Sequence, residues 1–210
     1  MDSFPAFFPL AGRRVVIAGA GEQAQGKAAL FDGSPAELVR IDGAAALDPE
    51  SYRGAALVFI DGEDLAFAEP AAAAARAAGA PVNVVDRPAM CDFFTPALVD
   101  RGRVVAAVGT GGSSPVLAQV LKAVLEAAVP EATGRIADLL SEVRAELRAA
   151  FPQMAARRAF VMAQLDGPAV KAATEGDMDT ARALLRQALA EGSPPGSSSP
   201  DLIGRPTPNW

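Results

Sequence analysis

Five short runs of apolar, mostly β-branched residues restrict the fold of this chain more than any other feature of its sequence. They are Val15–Ala18, Glu37–Ile41, Leu57–Ile60, Val82–Val85 and Val104–Val108. Ala-rich stretches that favour helix, such as Glu22–Phe31 and Ala71–Ala78, separate most of these runs. Strands that alternate with helices at this spacing predict βαβ units and a parallel sheet. Because the runs are continuously apolar, we expect an α/β fold with helices on both faces of the sheet.

The pattern changes after the fifth run, where a loop leads into a helix. Ser114 is a good N-cap residue and Pro115 suits the first helical position. The helix that begins there is predicted to end near Ala128, since Pro130 follows. The next helix is predicted from one apolar stripe, formed by Ile136, Leu139, Leu140, Val143 and Leu147.

Shorter helices are predicted between residues 152 and 191, with breaks at Gly167–Pro168 and at Gly176. From residue 192 the chain is rich in Pro, Ser and Gly, which predicts a disordered tail. The predicted divisions of the chain are therefore a sheet domain (1–112), a helical segment (113–150), a small helical domain (151–191) and the tail (192–210).

The composition excludes several classes of chemistry. The 210 residues contain no histidine, which excludes Ser-His-Asp hydrolysis, HExxH metalloproteases and histidine-based metal sites. The one cysteine, Cys91, excludes disulfide frameworks and favours a reducing cytoplasm. A net charge of −6 argues against non-specific nucleic-acid binding. We predict no membrane helix, because no apolar run reaches roughly 18 to 20 residues, and no signal peptide at the N-terminus.

A glycine-rich loop follows the first predicted strand. Residues 19–24 read Gly-Ala-Gly-Glu-Gln-Ala and lead into a helix, which is the GxGxxA dinucleotide fingerprint in its usual context and makes the sheet Rossmann-like. The glycines would allow a tight turn and close approach of the pyrophosphate, and the helix N-terminus would supply amide donors. The alternative is a glycine-rich turn that binds no ligand.

The end of the second predicted strand favours NAD as the cofactor. Asp42 could accept hydrogen bonds from the adenosine ribose and would repel a 2′-phosphate, although Arg40 weakens that preference. The predicted cofactor-binding residues are Gly19, Gly21, Glu22, Gln23, Asp42 and Gly43.

Asp86 follows the fourth predicted strand, in the place where open α/β sheets bind ligands. In a chain without histidine a partly buried Asp is the natural general base, so we expect Asp86 to be partly buried. The alternative is that Asp86 only caps the turn before Pro88. Cys91 could be a metal ligand or a reactive thiol, but a buried structural cysteine is the favoured interpretation, and no metal ligands are predicted.

The loop Gly109–Pro115 precedes a helix and is rich in backbone donors, which suits carboxylates or phosphates. The alternative is a flexible linker between two domains.

Five segments of the chain occur in the order and spacing of one protein family. They are Phe4–Arg13 (FPAFFPLAGR), Gly19–Gly21 with Lys27, Asn83–Asp86 (NVVD), Cys91–Ala97 (CDFFTPA) and Thr110–Ala118 (TGGSSPVLA). Over about residues 4–150 the chain resembles the precorrin-2 dehydrogenase / sirohydrochlorin ferrochelatase family, which is the N-terminal part of siroheme synthase. The last segment and NVVD are the specific ones, whereas the glycine loop alone is not.

The resemblance implies NAD-dependent oxidation of precorrin-2 to sirohydrochlorin, with insertion of Fe²⁺ to give siroheme in bifunctional members. The family's catalytic Asp falls on Asp86, which would accept a proton while a hydride goes to the nicotinamide. A homodimer is also implied, with the helix after Ser114 and the next helix at the interface. Besides the tetrapyrrole and iron, no nucleic acid or membrane partner is expected. The predicted substrate-binding residues are Asn83, Gly111, Gly112, Ser113 and Ser114.

Two departures from the family pattern keep alternatives open. The middle glycine of the loop is Ala20, and the family's Ala-Thr-Asp-Asp after the third strand is replaced by Phe59–Asp64. The alternatives are a chelatase-only homologue and a non-catalytic, NAD-binding dimer that senses redox state. An S-adenosylmethionine-binding module is a third, because a GxG loop also serves that ligand.

Overall fold

The computed structural model describes residues 3–192 and divides the chain into two compact units. The first unit comprises the chain up to Pro96 with Gly111–Ser113, and the second comprises Ala97–Thr110 with the chain from Ser114. Residues 193–210, almost all of the predicted tail, lie outside the described residues. Within the described part, no helix is both long enough and apolar enough to cross a membrane.

A four-stranded parallel sheet forms the centre of the first unit and confirms the predicted α/β, Rossmann-like class. Its strands are Arg14–Ala18 (β1), Glu37–Ile41 (β2), Ala55–Ile60 (β3) and Val82–Val84 (β4), in the sheet order β2-β1-β3-β4. The two helices of this unit are Glu22–Ala29 (α1) and Leu65–Ala77 (α2). Every neighbouring pair of strands is parallel, as in Ile17 of β1, which pairs with Arg40 of β2 and Phe59 of β3.

The sheet carries a separate apolar core on each face, as the continuously apolar strands predict. Side chains alternate along β1, so that Val16 joins the core that contains the buried alanines of α2, whereas Val15 and Ile17 join the core that contains Ala24 of α1. The alanines of α2 present little bulk and allow the helix to approach the sheet closely. The two layers of helix hold the sheet and leave the carboxyl ends of its strands available for a site.

The fifth predicted strand is a strand, but its placement in the parallel sheet is wrong. Val104–Val108 (β6) pairs in antiparallel fashion with Ala97–Arg101 (β5), a strand that the sequence pattern did not reveal. Gly102, with a φ of +71°, opens the two-residue turn that reverses the chain, and its N–H donates to Asp100 Oδ1 at 2.8 Å. This short turn leaves no room for the crossover that a parallel strand would need.

Six helices follow the hairpin in the second unit, counted up to residue 192. They are Pro115–Ala128 (α3), Ala132–Glu142 (α4), Arg144–Ala150 (α5), Met154–Gln164 (α6), Pro168–Glu175 (α7) and Met178–Glu191 (α8). The predicted start at Pro115 is confirmed, since Ser114 accepts a hydrogen bond from the Leu117 N–H at 3.1 Å. The helix predicted over the stripe 136–147 is divided at Val143, whose ψ of 7° departs from the helical value. The predicted break at Gly176 is confirmed by a left-handed C-cap.

The helices α4 to α8 share one apolar core. Leu139 and Leu147 from the predicted segment 113–150 pack in the same cluster as Phe160 and Leu185 from the predicted domain 151–191. The two predicted divisions therefore contribute side chains to one apolar core.

Truncation of Leu185 in this core tests its contribution to stability. The Leu185 side chain is fully buried, so Leu185→Ala should lower the free energy of unfolding by about 3 kcal/mol through lost burial and the cavity left behind. Urea unfolding followed by circular dichroism measures the change. Met154→Ala is the matched control, because Met154 is 73% exposed; an equal loss in both variants would contradict the packing described.

Candidate active site

The carboxyl ends of all four parallel strands carry residues suited to binding or catalysis. Asp42 follows β2, the glycine loop follows β1, Asp61 follows β3, and Asp86 lies two residues beyond β4. These ends lie at the same edge of the sheet, where ligands bind in open α/β folds. The predicted nucleotide loop and the predicted general base are thereby brought to one edge of the first unit.

Asp61 is the reason that the loop needs its glycines. Asp61 is 7% exposed, and its Oδ1 accepts a hydrogen bond from the Glu63 N–H at 3.1 Å. A Cβ placed on Gly19 would lie 2.6 Å from Asp61 Cβ, and one placed on Gly21 would overlap Asp61 Oδ2. Gly19 also has a φ of +116°, which side-chain-bearing residues rarely adopt. The structure thus shows both glycines against the Asp61 carboxylate, and the close approach of a pyrophosphate to the same loop stays a prediction.

The N-terminus of α1 provides free backbone donors beside this loop. Gly21 is its N-cap and has no side chain to satisfy the N–H groups of the first turn, which include those of Glu22 and Gln23. Such a terminus favours an anion through its N–H groups and through the helix dipole. The predicted dinucleotide fingerprint therefore has the backbone geometry that a pyrophosphate requires.

Two clefts open beside the glycine loop. One, of about 310 Å³, is lined by residues that include Asp42, Asp61, Glu63 and Asp64. The other, of about 470 Å³, lies towards β2 and includes Arg40 and Asp42. Asp42 is exposed and lies on both clefts, while its Oδ1 accepts the Gly43 N–H at 2.6 Å. Asp42 therefore lies beside the glycine loop, and its predicted contact with the adenosine ribose stays a prediction.

Asp86 is held by Gln23 and not by burial. Gln23 Nε2 donates to Asp86 Oδ2 at 3.0 Å, and Gln23 Oε1 accepts the Gly62 N–H at 2.9 Å. The expectation that Asp86 is partly buried is wrong, since its side chain is exposed. Asp86 has a φ of +57°, and no other non-glycine residue among those described has a positive φ. A strained backbone of this kind persists only where the surroundings determine it, and such residues cluster at functional sites.

Lys27 of α1 brings a positive charge to the same part of the unit. Its Nζ lies 3.3 Å from Thr95 Oγ1 and 5.8 Å from the centre of the Phe59 ring. Burial lowers the pKa of the Lys27 amine, and the negative charge of Asp86 acts in the opposite direction. Lys27, which matches the lysine of the family pattern, thus contacts the CDFFTPA segment through Thr95, and its charge interacts with that of Asp86.

Asn83 has structural partners. It is 6% exposed, and its Nδ2 donates to the Phe93 carbonyl at 2.9 Å, with Cys91 Sγ at 3.6 Å. The Cys91 thiol is half-buried and donates to the Val84 carbonyl at 3.2 Å, and burial raises its pKa. These contacts attach the segment after Asp86 to β4. The predicted contact of Asn83 with a substrate stays a prediction.

The loop before α3 is shaped by two glycines in left-handed conformation. Gly111 has a φ of +61° and Gly112 a φ of +80°, and Ser113 follows as an exposed residue. The Ser114 hydroxyl is used as the N-cap of α3, and Thr110 Oγ1 donates to the Ser114 carbonyl at 3.3 Å. Substrate binding by this loop likewise stays a prediction.

Sequence reasoning noted the segment Phe59–Asp64 as a departure from the family pattern but did not name Asp61 and Gly62 as site residues. Gly62 has no room for a Cβ because the Val85 carbonyl lies against it, and its own carbonyl accepts from Arg87 Nε at 3.1 Å. The available signal was their position directly after the third predicted strand, at the edge already predicted to hold Asp42 and Asp86. No cluster of three or more metal-ligating side chains occurs between residues 3 and 192.

Two family models match the chain. One, "Putative NAD(P)-binding", matches residues 6–97, and the other, "Sirohaem synthase dimerisation region", matches residues 132–189. The first contains the whole parallel sheet with the glycine loop and Asp86. The second covers α4 to α7 and most of α8, and so includes the predicted domain 151–191 in a dimerisation region.

Curated relatives agree with both matches. The chain is 36% identical over 209 residues to a siroheme synthase of Methylococcus capsulatus, a match that covers 90% of this chain and 44% of that protein. It is 36% identical over 212 residues to a siroheme synthase of Pseudomonas putida, covering 92% of this chain and 46% of that protein. The chain thus spans a little under half the length of these relatives.

A solved structure supports the fold. The structure of "SirC, precorrin-2 dehydrogenase" superimposes with a TM-score of 0.69 at 18% sequence identity, covering 89% of this chain and 98% of that one. Because it covers 89% of this chain, the superposition includes most of the Rossmann-like sheet and most of the helical region. The two family models and the curated relatives show that the chain belongs to the siroheme synthase family, of which it carries the NAD(P)-binding and dimerisation regions.

Proposed function

We propose that this chain oxidises precorrin-2 to sirohydrochlorin with NAD⁺ as the hydride acceptor, in siroheme biosynthesis. The observation that carries the proposal is the link, through Gln23, between the nucleotide-binding loop after β1 and the carboxylate of Asp86 after β4. A dehydrogenase needs a cofactor site and a proton acceptor within reach of one substrate. The names of the relatives, siroheme synthase and precorrin-2 dehydrogenase, supply the substrate class.

In this proposal precorrin-2 loses one hydride and one proton. NAD⁺ held by the glycine loop and Asp42 would supply the hydride-accepting chemistry, and Asp86 would accept the proton. Asp86 Oδ2 is engaged by Gln23, whereas Oδ1 has no hydrogen-bond partner among residues 3–192, and it is the oxygen assigned to the proton. The products are sirohydrochlorin, NADH and one proton that Asp86 returns to solvent.

The proposed cofactor contacts follow the geometry of the loop and the end of β2. The backbone N–H groups of Glu22 and Gln23, with Gly19 and Gly21 making the approach possible, would bind the pyrophosphate. Asp42, oriented by the Gly43 N–H, would bind the adenosine ribose.

The charge around the first cleft supports NAD over NADP. Four carboxylates, those of Asp42, Asp61, Glu63 and Asp64, line that cleft, against one cation, Arg40, on the neighbouring cleft. A 2′-phosphate placed there would meet like charges, which disfavour its binding. We accordingly propose NAD as the physiological cofactor and the cytoplasm, where the thiol of Cys91 stays reduced, as the location.

Substrate binding is proposed for the residues that the family resemblance singles out, which are Asn83, Gly111, Gly112, Ser113 and Ser114. The loop glycines have exposed backbone donors suited to the carboxylates of a tetrapyrrole. Iron is proposed as a second substrate, since a carboxylate with one free oxygen can also accept the N–H protons that leave a pyrrole during chelation.

The proposed assembly is a homodimer, and α3 offers a face for it. Within the described chain no residue of α3 is buried. Val116, Val120 and Val124 are spaced by four residues and form one apolar stripe, with Val120 54% exposed. The dimerisation region begins four residues after α3 ends. A second copy of the chain is therefore the proposed partner of this stripe.

A charge in the α3 stripe should separate the dimer. Val120→Glu would place a carboxylate in a desolvated interface without a partner and should shift the chain from dimer to monomer at micromolar concentration. Sedimentation velocity measures the change. Glu126→Gln on the same helix, which removes an exposed partner of Lys122, is the control and should remain dimeric. A dimeric Val120→Glu variant would contradict the proposed interface.

An anaerobic absorbance assay tests the proposed reaction. Purified protein is mixed with precorrin-2, with and without NAD⁺, and then with Fe²⁺. The sirohydrochlorin spectrum should appear only with NAD⁺, and siroheme should then form faster than in a protein-free control. NAD binding without any turnover would favour the redox-sensor alternative, whereas chelation of supplied sirohydrochlorin alone would favour the chelatase-only alternative.

A further inference from the structure

Gln23 has one side-chain amide that joins three elements of the first unit. It lies in the first turn of α1, its Oε1 accepts the N–H of Gly62 after β3, and its Nε2 donates to Asp86 after β4. The orientation of the amide follows from its partners. A backbone N–H can only donate, so it must face the amide oxygen, which leaves the amide nitrogen for the carboxylate.

The position of Gly62 is itself determined from several sides. The Val85 carbonyl leaves no room for a side chain at Gly62, and Arg87 Nε donates to the Gly62 carbonyl at 3.1 Å. The Val85 N–H donates to the Ile60 carbonyl at 3.0 Å. The Gly62 peptide is therefore a rigid anchor, and Gln23 connects this anchor to the Asp86 carboxylate.

Asp86 needs such a connection more than an ordinary aspartate does. Its backbone has a φ of +57° and its side chain is exposed, so neither the preferred backbone conformation nor packing restricts the carboxylate. An exposed side chain without an anchor would sample several rotamers. The hydrogen bond from Gln23 selects the one in which Oδ2 faces α1.

We propose that Gln23 is a positioning residue, which orients the Asp86 carboxylate so that its free Oδ1 meets the substrate. The inference rests on the proposed function and assigns the side chain of Gln23 to Asp86, while its backbone N–H remains available to the cofactor. Since α1 begins at the nucleotide-binding loop, the same residue links the cofactor site to the proton acceptor.

Replacement of Gln23 should lower kcat and leave cofactor binding largely unchanged. Gln23→Val removes both side-chain hydrogen bonds, and kcat should fall about 10- to 100-fold, the range expected for loss of a hydrogen bond to a charged group. The KM for NAD⁺ should change less than threefold, since the backbone donors remain. Gln23→Glu keeps an acceptor for Gly62 but cannot donate to ionised Asp86, and it should be at least as impaired.

The matched control is Gln187→Val, because Gln187 is an exposed residue of α8 whose Nε2 also donates to a carboxylate, that of Glu191, at 2.8 Å. This variant should retain the kcat of the unaltered chain. Thermal unfolding of each variant separates positioning from loss of structure, since a positioning role predicts a fall in kcat with the melting temperature of Gln23→Val close to that of Gln187→Val.

A double-mutant cycle with Asp86→Asn provides the decisive test. If Gln23 acts through Asp86, adding Gln23→Val to Asp86→Asn should change the residual kcat less than twofold. Additive losses, or an unchanged kcat in Gln23→Val alone, would overturn the inference while the proposed function stands. Absence of precorrin-2 oxidation by the unaltered chain would instead overturn the proposed function and this inference with it.

Discussion

Replacement of Asp86 by Asn should lower the rate of precorrin-2 oxidation by about 10²- to 10⁴-fold, the contribution typical of a general base. An amide has nearly the same shape as the carboxylate but cannot take up a proton at neutral pH. Its oxygen can still accept the hydrogen bond from Gln23 Nε2, so the local structure should be preserved. Anaerobic steady-state kinetics with NAD⁺ measures kcat, and calorimetry measures NAD⁺ affinity, which should change little.

The control for this substitution is Asp32→Asn. Asp32 is an exposed residue after α1 and its side chain has no hydrogen bond in the described structure. It carries the same change of charge, so it accounts for any effect of net charge on a substrate with many carboxylates. Turnover by Asp86→Asn at the rate of Asp32→Asn would exclude Asp86 as the base.

Alanine at either of the two loop glycines should strongly weaken cofactor binding, for a different physical reason at each position. Gly19→Ala meets Asp61 Cβ at 2.6 Å and also forces a side chain into a φ of +116°. Gly21→Ala meets the carboxylate of Asp61, while its own backbone is extended, with a φ of −70°. Both contacts should displace the loop and weaken NAD⁺ binding by about 100-fold or more. At Gly19 backbone strain adds about 1–3 kcal/mol to the cost.

Combining each glycine substitution with Asp61→Ala distinguishes the clash with the Asp61 carboxylate from the clash with the Asp61 Cβ. Asp61→Ala removes the carboxylate that Gly21→Ala would meet. The double variant Gly21→Ala/Asp61→Ala should therefore bind NAD⁺ nearly as tightly as Asp61→Ala alone. Asp61→Ala retains the Cβ that Gly19→Ala would meet. The double variant Gly19→Ala/Asp61→Ala should therefore still bind NAD⁺ weakly. Equal rescue of both would contradict the contacts described.

Gly26→Ala is the matched control on α1. A Cβ at Gly26 has nothing within 4 Å, and the position is helical. Alanine should therefore leave NAD⁺ affinity unchanged and stabilise the helix by about 1 kcal/mol, the difference in propensity between the two residues.

The parts of the fold that were predictable from the sequence are those set by local pattern. The continuous apolar runs identified β1 to β4, and Ser114 with Pro115 identified the start of α3, because strand burial and helix capping act over a few residues. The hairpin was not predictable in the same way. Its second strand, Val104–Val108, is as apolar as a parallel strand, and the two-residue turn at Gly102 decides its partner.

The candidate site was predictable in position and not in its contacts. Asp42 and Asp86 could be placed at the sheet edge because parallel strands end on the same side. The contact between Gln23 and Asp86 joins residues 63 positions apart in the chain, and no local pattern specifies it. The role of Asp61 beneath Gly19 and Gly21 also depends on the order of strands in the sheet.

Quantifying NADH and sirohydrochlorin in one anaerobic reaction of the unaltered chain tests the proposed hydride transfer from precorrin-2 to NAD⁺. We expect one NADH for each sirohydrochlorin, with both products lost together in Asp86→Asn. Sirohydrochlorin formed without NADH, or at the same rate in the absence of NAD⁺, would exclude the proposed transfer.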